Sequence, residues 1–449
     1  MKLCSVDDIT LPSGELIRWT LRATGPGRPS DATPSENETF HLDSVRRTGR
    51  SGWLAIAVEI PGWVQVTEIT RGIRAVLDRH EILRTHFVTD AAENHQRMLL
   101  GPDAVAVEAQ PGVSTLAPTD QVFAEIASGC SPFEPLGHHF AAIRTPSSTT
   151  LVCAFDHVYV DAYSLGIIAS NIFDGLGGRP IAAADSFLDL RRTEQTAPPI
   201  GPDDPRLAAW GRFFTENDWQ VPEFPLDLGV APGETAPART DVRTLLTAAQ
   251  GRAFERAVHT LDARTFPALL TGLAAAVHDC GGPLELPVVI PVHLRRSHSS
   301  RRSVGWIVGN APMTATSDGS AGSAMRTTTR RLGAALPLAE IGVTPVYTTY
   351  AAQLKTTRHD VFMASYIDYR QLKLPRVRVH HISSGRQSDT AQWWFWRDDD
   401  GIHLRARFPD TQIAADTMSR VLDALNDFLI DIPTTGGAAR RTPLHPISR

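Results

Sequence analysis

Residues 151–168 read LVCAFDHVYVDAYSLGII, and this stretch constrains the chain more than any other. Leu151–Phe155 is a short apolar run with a β-branched centre, the pattern of a buried strand. Asp156 to Tyr163 then form a polar and aromatic bend, after which Ser164 can cap a helix whose apolar face carries Leu165, Ile168 and Ile172. His157 sits on the bend, where a stiff scaffold meets solvent or substrate. Imidazole titrates nearest neutrality, so it can take and return a proton at working pH. A bare His-x3-Asp is equally the pattern of a capped turn with a hydrogen-bonded histidine.

Flanking patterns place the bend inside a mixed α/β chain. Leu54, Ile56, Val58 and Ile60 alternate, which predicts a strand over 52–60 with one buried face. Val66, Ile69, Ile73, Val76 and Leu77 recur at helical spacing and predict an amphipathic helix over 65–80. The first 50 residues are loosely patterned, and 25–38 reads as a surface loop. Further helices are expected over 251–258, 265–279 and 417–430, with strands over 286–292, 393–396 and 402–408. Residues 317–323 read as a flexible loop, and the chain from Pro433 onward as frayed. Gln195–Arg206, with four prolines and a glycine, is the linker.

Four motifs in order resemble the condensation-domain superfamily, whose members include peptide-synthetase condensation domains, polyketide-associated acyltransferases and chloramphenicol-acetyltransferase-like enzymes. Arg79-His80-Glu81-Ile82-Leu83-Arg84-Thr85-His86-Phe87 is similar to the "RHExLRTxF" segment, about 70 residues before the bend. Phe133, Pro135 and Leu136 resemble its "FxxxxGPL" approach. Ala209-Trp210 through Pro222-Glu223-Phe224-Pro225 resembles the stretch that opens the second half. Val304-Gly305-Trp306-Ile307-Val308-Gly309-Asn310-Ala311-Pro312 is similar to "VGxFxNTLP", with Asn310 displaced by one position. The flavour of 11–19, Trp306 and 365–370 resembles the stand-alone polyketide-associated acyltransferases that esterify lipids and sugars.

The resemblance implies an α/β protein of two chloramphenicol-acetyltransferase-like sandwich lobes, a V-shaped pseudo-dimer with a central channel. It divides the chain into an N-terminal lobe over 1–195, a linker over 196–206 and a C-terminal lobe over 207–449. His157 is then the catalytic base of acyl transfer, and Asp161 turns away to pair with an arginine, Arg295 first and Arg296 second. Two departures stand out: Asp156 replaces the family's first histidine, and Ala162 its glycine. Ala162, Tyr163 and Ser164 are channel or oxyanion candidates, although a helix cap for Ser164 and a core aromatic for Tyr163 are the safer readings. Trp306 and Asn310 either line the channel or pack in a crossover. A thioester is already activated, so no metal or cofactor is needed, and no GxSxG elbow is present.

The expected reaction moves an acyl group from a coenzyme A or carrier-protein thioester to a hydroxyl, in lipid, glycolipid or polyketide-type biosynthesis. The alternatives are a free-standing, peptide-synthetase-type condensation enzyme that makes an amide, and a non-catalytic protein that docks carriers. A polyketide or peptide synthase is the implied partner, and a monomer is expected. Net charge −5 and pI near 6.3 argue against nucleic-acid or anionic-membrane binding beyond peripheral contact. Positive charge is nearly all arginine, the lysines being Lys2, Lys355 and Lys373. The histidine doublets His138-His139 and His380-His381 would point to opposite faces of a strand, which is poor metal geometry. Cys4, Cys130, Cys153 and Cys280 are scattered, and the start MKLCSVDDITL lacks the build of a signal peptide. A reducing cytoplasm is the expected compartment.

Overall fold

The computed structural model describes residues 1–385 and 387–435. They form two compact units. Unit 1 holds 1–199 together with 294–307 and 369–384, and unit 2 holds 200–293, 308–368 and the chain from 385. Two short segments from the second half of the sequence are thus parts of unit 1, which a division into consecutive lobes leaves out.

Unit 1 is built on an eight-stranded sheet. The strand Ser148–Asp156 lies near its middle, antiparallel to Trp53–Pro61 on one side and His139–Arg144 on the other. Arg378–Ser383 joins the far side of Trp53–Pro61, and Lys2–Ser5 runs parallel to it at that edge. Gly14–Ala23 follows His139–Arg144 at the other side.

Leu151, Cys153 and Phe155 face one layer with Leu54, Ile56, Val58 and Phe140, whereas Val152 and Ala154 face the other with Trp53, Ala55 and Ala57. Both faces are covered, which is why the central run is apolar throughout. The alternation over 52–60 suggested a single buried face. Ala55 and Ala57 are fully buried as well, because a helix packs on their side.

Unit 1 also carries the helices α1 (Glu36–Thr48), α2 (Val66–Arg79), α3 (Pro118–Gly129) and α4 (Ala162–Leu176). The alanine side of the sheet is covered by Val122, Phe123 and Ile126 of α3. On the other side lie Ile69, Ile73, Val76 and Leu77 of α2 and Leu165, Ile168 and Ile172 of α4. A Cβ on Gly175 would stand 2.8 Å from the Gly72 Cα, so glycine at both positions lets α2 and α4 touch backbone to backbone.

Helix α1 takes over the last three residues of the loop expected over 25–38 and orders the loosely patterned stretch after it. Its apolar face is sparse, with only Leu42 and Val45 buried among its hydrophobic residues, so periodicity does not reveal it. The Ser35–Glu38 capping box starts it and Gly49 ends it in a left-handed conformation.

Unit 2 carries a seven-stranded sheet in the order Val308–Thr316, Glu285–His293, Met363–Asp368, Gln392–Arg397, Gly401–Pro409, Ala236–Thr247, Gln387–Ser388. Helix Thr265–Asp279 packs on helix Gln412–Thr435, with Gly272 against Leu425 and Phe428. That last helix includes Pro433 and continues past the point where the sequence suggested fraying; the chain after 435 lies outside the described residues. A helix over Ala321–Ala335, capped by Ser320, likewise shortens the loop expected over 317–323. Among the described residues no helix is long and apolar enough to cross a membrane.

Candidate functional site

The chain leaves the central strand at Asp156 and makes one tight helical turn, His157–Tyr159, before α4 begins. Asp156 caps that turn: its Oδ1 accepts the Val158 N–H at 2.8 Å. The His157 N–H donates to the Gly52 carbonyl at 2.8 Å, so the backbone under the imidazole is tied to the neighbouring strand's entry loop. The ring lies against Trp306, with centroids 4.0 Å apart and planes tilted by 32°. Nδ1 is enclosed without a hydrogen-bond partner, while the residue as a whole keeps some exposure. Burial pushes the imidazole pKa down to about 4. The nearby His41 lowers it further, against smaller upward effects from its own carbonyl, Asp156 and Asp161. His157 is therefore a neutral imidazole at neutral pH, with its lone pair available.

Asp161 closes the bend and caps α4, accepting the Ser164 N–H at 2.7 Å. It does not face His157 but the guanidinium of Arg295, which donates from Nη1 to Oδ2 at 2.8 Å and from Nη2 to Oδ1 at 3.1 Å. Burial alone would raise the Asp161 carboxyl, but the charge and hydrogen bonds of Arg295 and the Ser164 amide hold it below the usual carboxylate range. Arg295 is itself buried. Its remaining donors reach the carbonyls of Ser303 and Gly305 and the Ser164 hydroxyl, and its guanidinium lies over Tyr163 at 4.9 Å. The Ile307 N–H adds a further bond to Asp161 Oδ2 at 3.2 Å.

This pair pins the strap 294–307 onto the start of α4 and so sets Trp306 over His157. Gly305, just before the tryptophan, has φ +157°, and a Cβ there would come within 2.1 Å of Phe187. Only glycine fits that crossing.

Ser164 is not the cap of α4; Asp161 is. Its hydroxyl is fully buried, accepts from Arg295 and from the Gly305 N–H, and donates to the Gly305 carbonyl, so it is occupied away from any substrate. Ala162 opens α4 with partial exposure, and Tyr163 is half-buried beneath Arg295. Asn310 stands in unit 2, on the strand Val308–Thr316 opposite Pro291. Arg296 is not the partner of Asp161 in any bond described.

Sequence reasoning missed His41 and Ser51. Both reach the fully buried Asp156: His41 Nε2 donates to Oδ1 at 2.8 Å, and the Ser51 hydroxyl donates to Oδ2. The other histidines that caught attention lie elsewhere. His80 bonds to Asn171 and is pushed down to about 3 by burial, and His138 donates to the Leu83 carbonyl. Among the described residues no three His, Cys, Asp or Glu side chains stand together as metal ligands.

No family model matches the chain. Over nearly its whole length it is similar to the trehalose-2-sulfate acyltransferase PapA2 of Mycobacterium bovis, 25% identical over 95% of this chain and 96% of that protein. A solved structure of PapA2 acyl transferase matches with a TM-score of 0.87 at 22% identity, covering 96% of this chain and all of that one. The first condensation domain of the calcium-dependent antibiotic synthetase matches with a TM-score of 0.70 at 15% identity, over 93% of this chain and 98% of its own. The fold is that of the condensation-domain superfamily. On its full-length likeness to a named acyltransferase, the chain is an acyltransferase. Asp156, at the position where the resemblance puts the family's first histidine, is met by a histidine from α1.

Proposed function

We propose that this enzyme transfers an acyl group from a thioester of coenzyme A or of a carrier protein to a hydroxyl of a carbohydrate or lipid, with His157 as general base. The observation that carries this is a neutral, partly exposed imidazole on a backbone fixed at Asp156 and Gly52, with Nδ1 enclosed and Nε2 left for the substrate. The relative's name, a trehalose-2-sulfate acyltransferase, supports a sugar hydroxyl as acceptor.

Nε2 of His157 takes the proton of the acceptor hydroxyl as its oxygen bonds to the thioester carbonyl carbon. The resulting oxyanion collapses, the C–S bond breaks, and the thiolate takes the proton back from the imidazolium. The opening of α4 at Ala162, the positive end of a helix, favours the developing negative charge. Asp161, Arg295 and Trp306 orient the base without touching the proton. A thioester needs no metal to be attacked, and a reducing cytoplasm suits both the donor and the free thiols of Cys4, Cys130, Cys153 and Cys280.

The test is transfer from dodecanoyl-coenzyme A, and from the same acyl group on a carrier protein, to trehalose 2-sulfate, other alcohols and amines. Ester formation abolished by His157→Ala supports the reading. Undiminished transfer by that variant overturns it, and exclusive use of amines converts the reaction to amide formation.

A further inference from the structure

Asp156 brings together three parts of the chain. Its carboxylate, with no exposed surface, accepts from Val158 in the catalytic turn, Ser51 in the loop before the strand and His41 in α1. The His41 ring lies 6.2 Å from that of His157 and 5.9 Å, edge-on, from Trp306, so three rings make one cluster beside a buried negative charge.

The charged and titratable groups around His157 are few. They are His41 from α1, Asp156 from its own turn, and Asp161 from the cap of α4. Arg295 already matches Asp161 with a bidentate pair. Asp156 has no arginine; among the described residues bonded to it, the one side chain that can carry positive charge is His41. An unbalanced buried carboxylate this close to His157 would favour the imidazolium and move the acidic limit of catalysis toward neutral pH.

We propose that His41 is a positioning residue for the acyl-transfer reaction: through Asp156 it holds the His157 turn in register and offsets the buried carboxylate, which on its own favours the imidazolium form of His157. The inference rests on His157 being the base. It assigns His41 no proton transfer with substrate. It makes the Asp156–His41 pair, split between residues 115 positions apart, the functional replacement for the usual first histidine of the motif.

Two variants separate position from charge. His41→Gln keeps a neutral donor toward Asp156 and cannot be protonated, whereas His41→Ala removes donor and charge together. Each is assayed with dodecanoyl-coenzyme A and trehalose 2-sulfate across pH, alongside a direct titration of the His157 ring by NMR. His41→Ala is expected to lower kcat roughly 10- to 100-fold with little change in KM, as small misplacements of a catalytic group do. Both variants should move the His157 titration and the acidic limb of the rate profile up by about one unit, and His41→Gln should recover most of kcat above that limb. Adding Asp156→Asn to His41→Gln should bring the titration back down. An unmoved His157 titration and acidic limb in folded His41→Gln overturns the proposal. His157→Ala is the control: if it stays active the base itself is misassigned, whereas an inactive His157→Ala beside unaffected His41 variants removes only the role of His41.

Discussion

The turn that carries His157 is anchored at both ends by a buried aspartate, and the two anchors differ in kind. At the α4 end, Asp161 meets a permanent cation, Arg295, through two hydrogen bonds, and the pair also binds the strap that carries Trp306. At the strand end, the described residues that bond to Asp156 offer a hydroxyl, a backbone N–H and an imidazole. The first anchor is a bidentate ion pair with a guanidinium; the second is a carboxylate held by neutral donors and one imidazole. A clamp and a lighter contact five residues apart hold the ring in place from both ends of its turn.

The sharpest way to break this comparison is to remove the group it serves. His157→Ala should cut acyl transfer by ~10²–10⁴-fold, the usual worth of a general base, with melting temperature little changed. Asp161→Ala comes next. It strands Arg295 in the interior and should cost about 3–5 kcal/mol of stability, read by denaturant unfolding, as well as loosening Trp306. An unfolding midpoint equal to the wild type would show that the clamp is idle.

Acid should separate the two kinds of group. His80 and His138 are buried with pKa values of about 3 and about 4, against an ordinary 6.5. The unfolded chain takes up these protons below 6.5 and the folded chain does not, so stability falls with pH from there down to about 4, by roughly 3 kcal/mol for each histidine. Asp161, depressed by Arg295, withdraws its contribution only further down, below the ordinary 3.8. Stability that stayed flat between pH 6.5 and 4.5 would contradict this order.

Gly305→Ala is a smaller blow. Its Cβ meets Phe187 and should cost about 1–3 kcal/mol while shifting Trp306 and lowering kcat. Smallest is Asp156→Asn, which keeps an acceptor for the Val158 N–H and should cost about 1–2 kcal/mol. If it proves as damaging as Asp161→Ala, the two ends of the turn are not different in kind.

Much of this was legible in the chain, and the limits have physical causes. The strand, the bend and α4 are continuous in sequence and carry strong periodicity, so residues 151–172 could be read directly. Arg295 was reachable through the resemblance, because a buried carboxylate needs a cation. Helix α1 escaped because a helix with two buried hydrophobic residues has almost no apolar stripe; Ser35 and Glu38, three apart, were the signal that could have found it. With α1 unseen, His41 had no place to act from, and its distance in sequence from Asp156 hid the pair entirely. Ser164 misled for a related reason. Serine favours caps, but Asp161, three positions earlier, supplies the stronger acceptor and takes the N–H of Ser164 itself.

The threading of unit 1 has a consequence for how the protein is made. Its sheet takes in Arg378–Ser383, and its arginine clamp waits for residue 295. A ribosome that has released only the first 199 residues has therefore delivered most of a core in which the strand between Lys2–Ser5 and Trp53–Pro61, and the buried cation, are still unsynthesised. Such a nascent chain carries an unmatched charge at Asp161 until Arg295 is made, about 100 codons later, and an uncovered flank on Trp53–Pro61 until Arg378–Ser383 is made, about 180 codons later. Folding of this enzyme is set to finish late, when the last third of the polypeptide emerges, and a truncated N-terminal half should depend on chaperones to stay in solution.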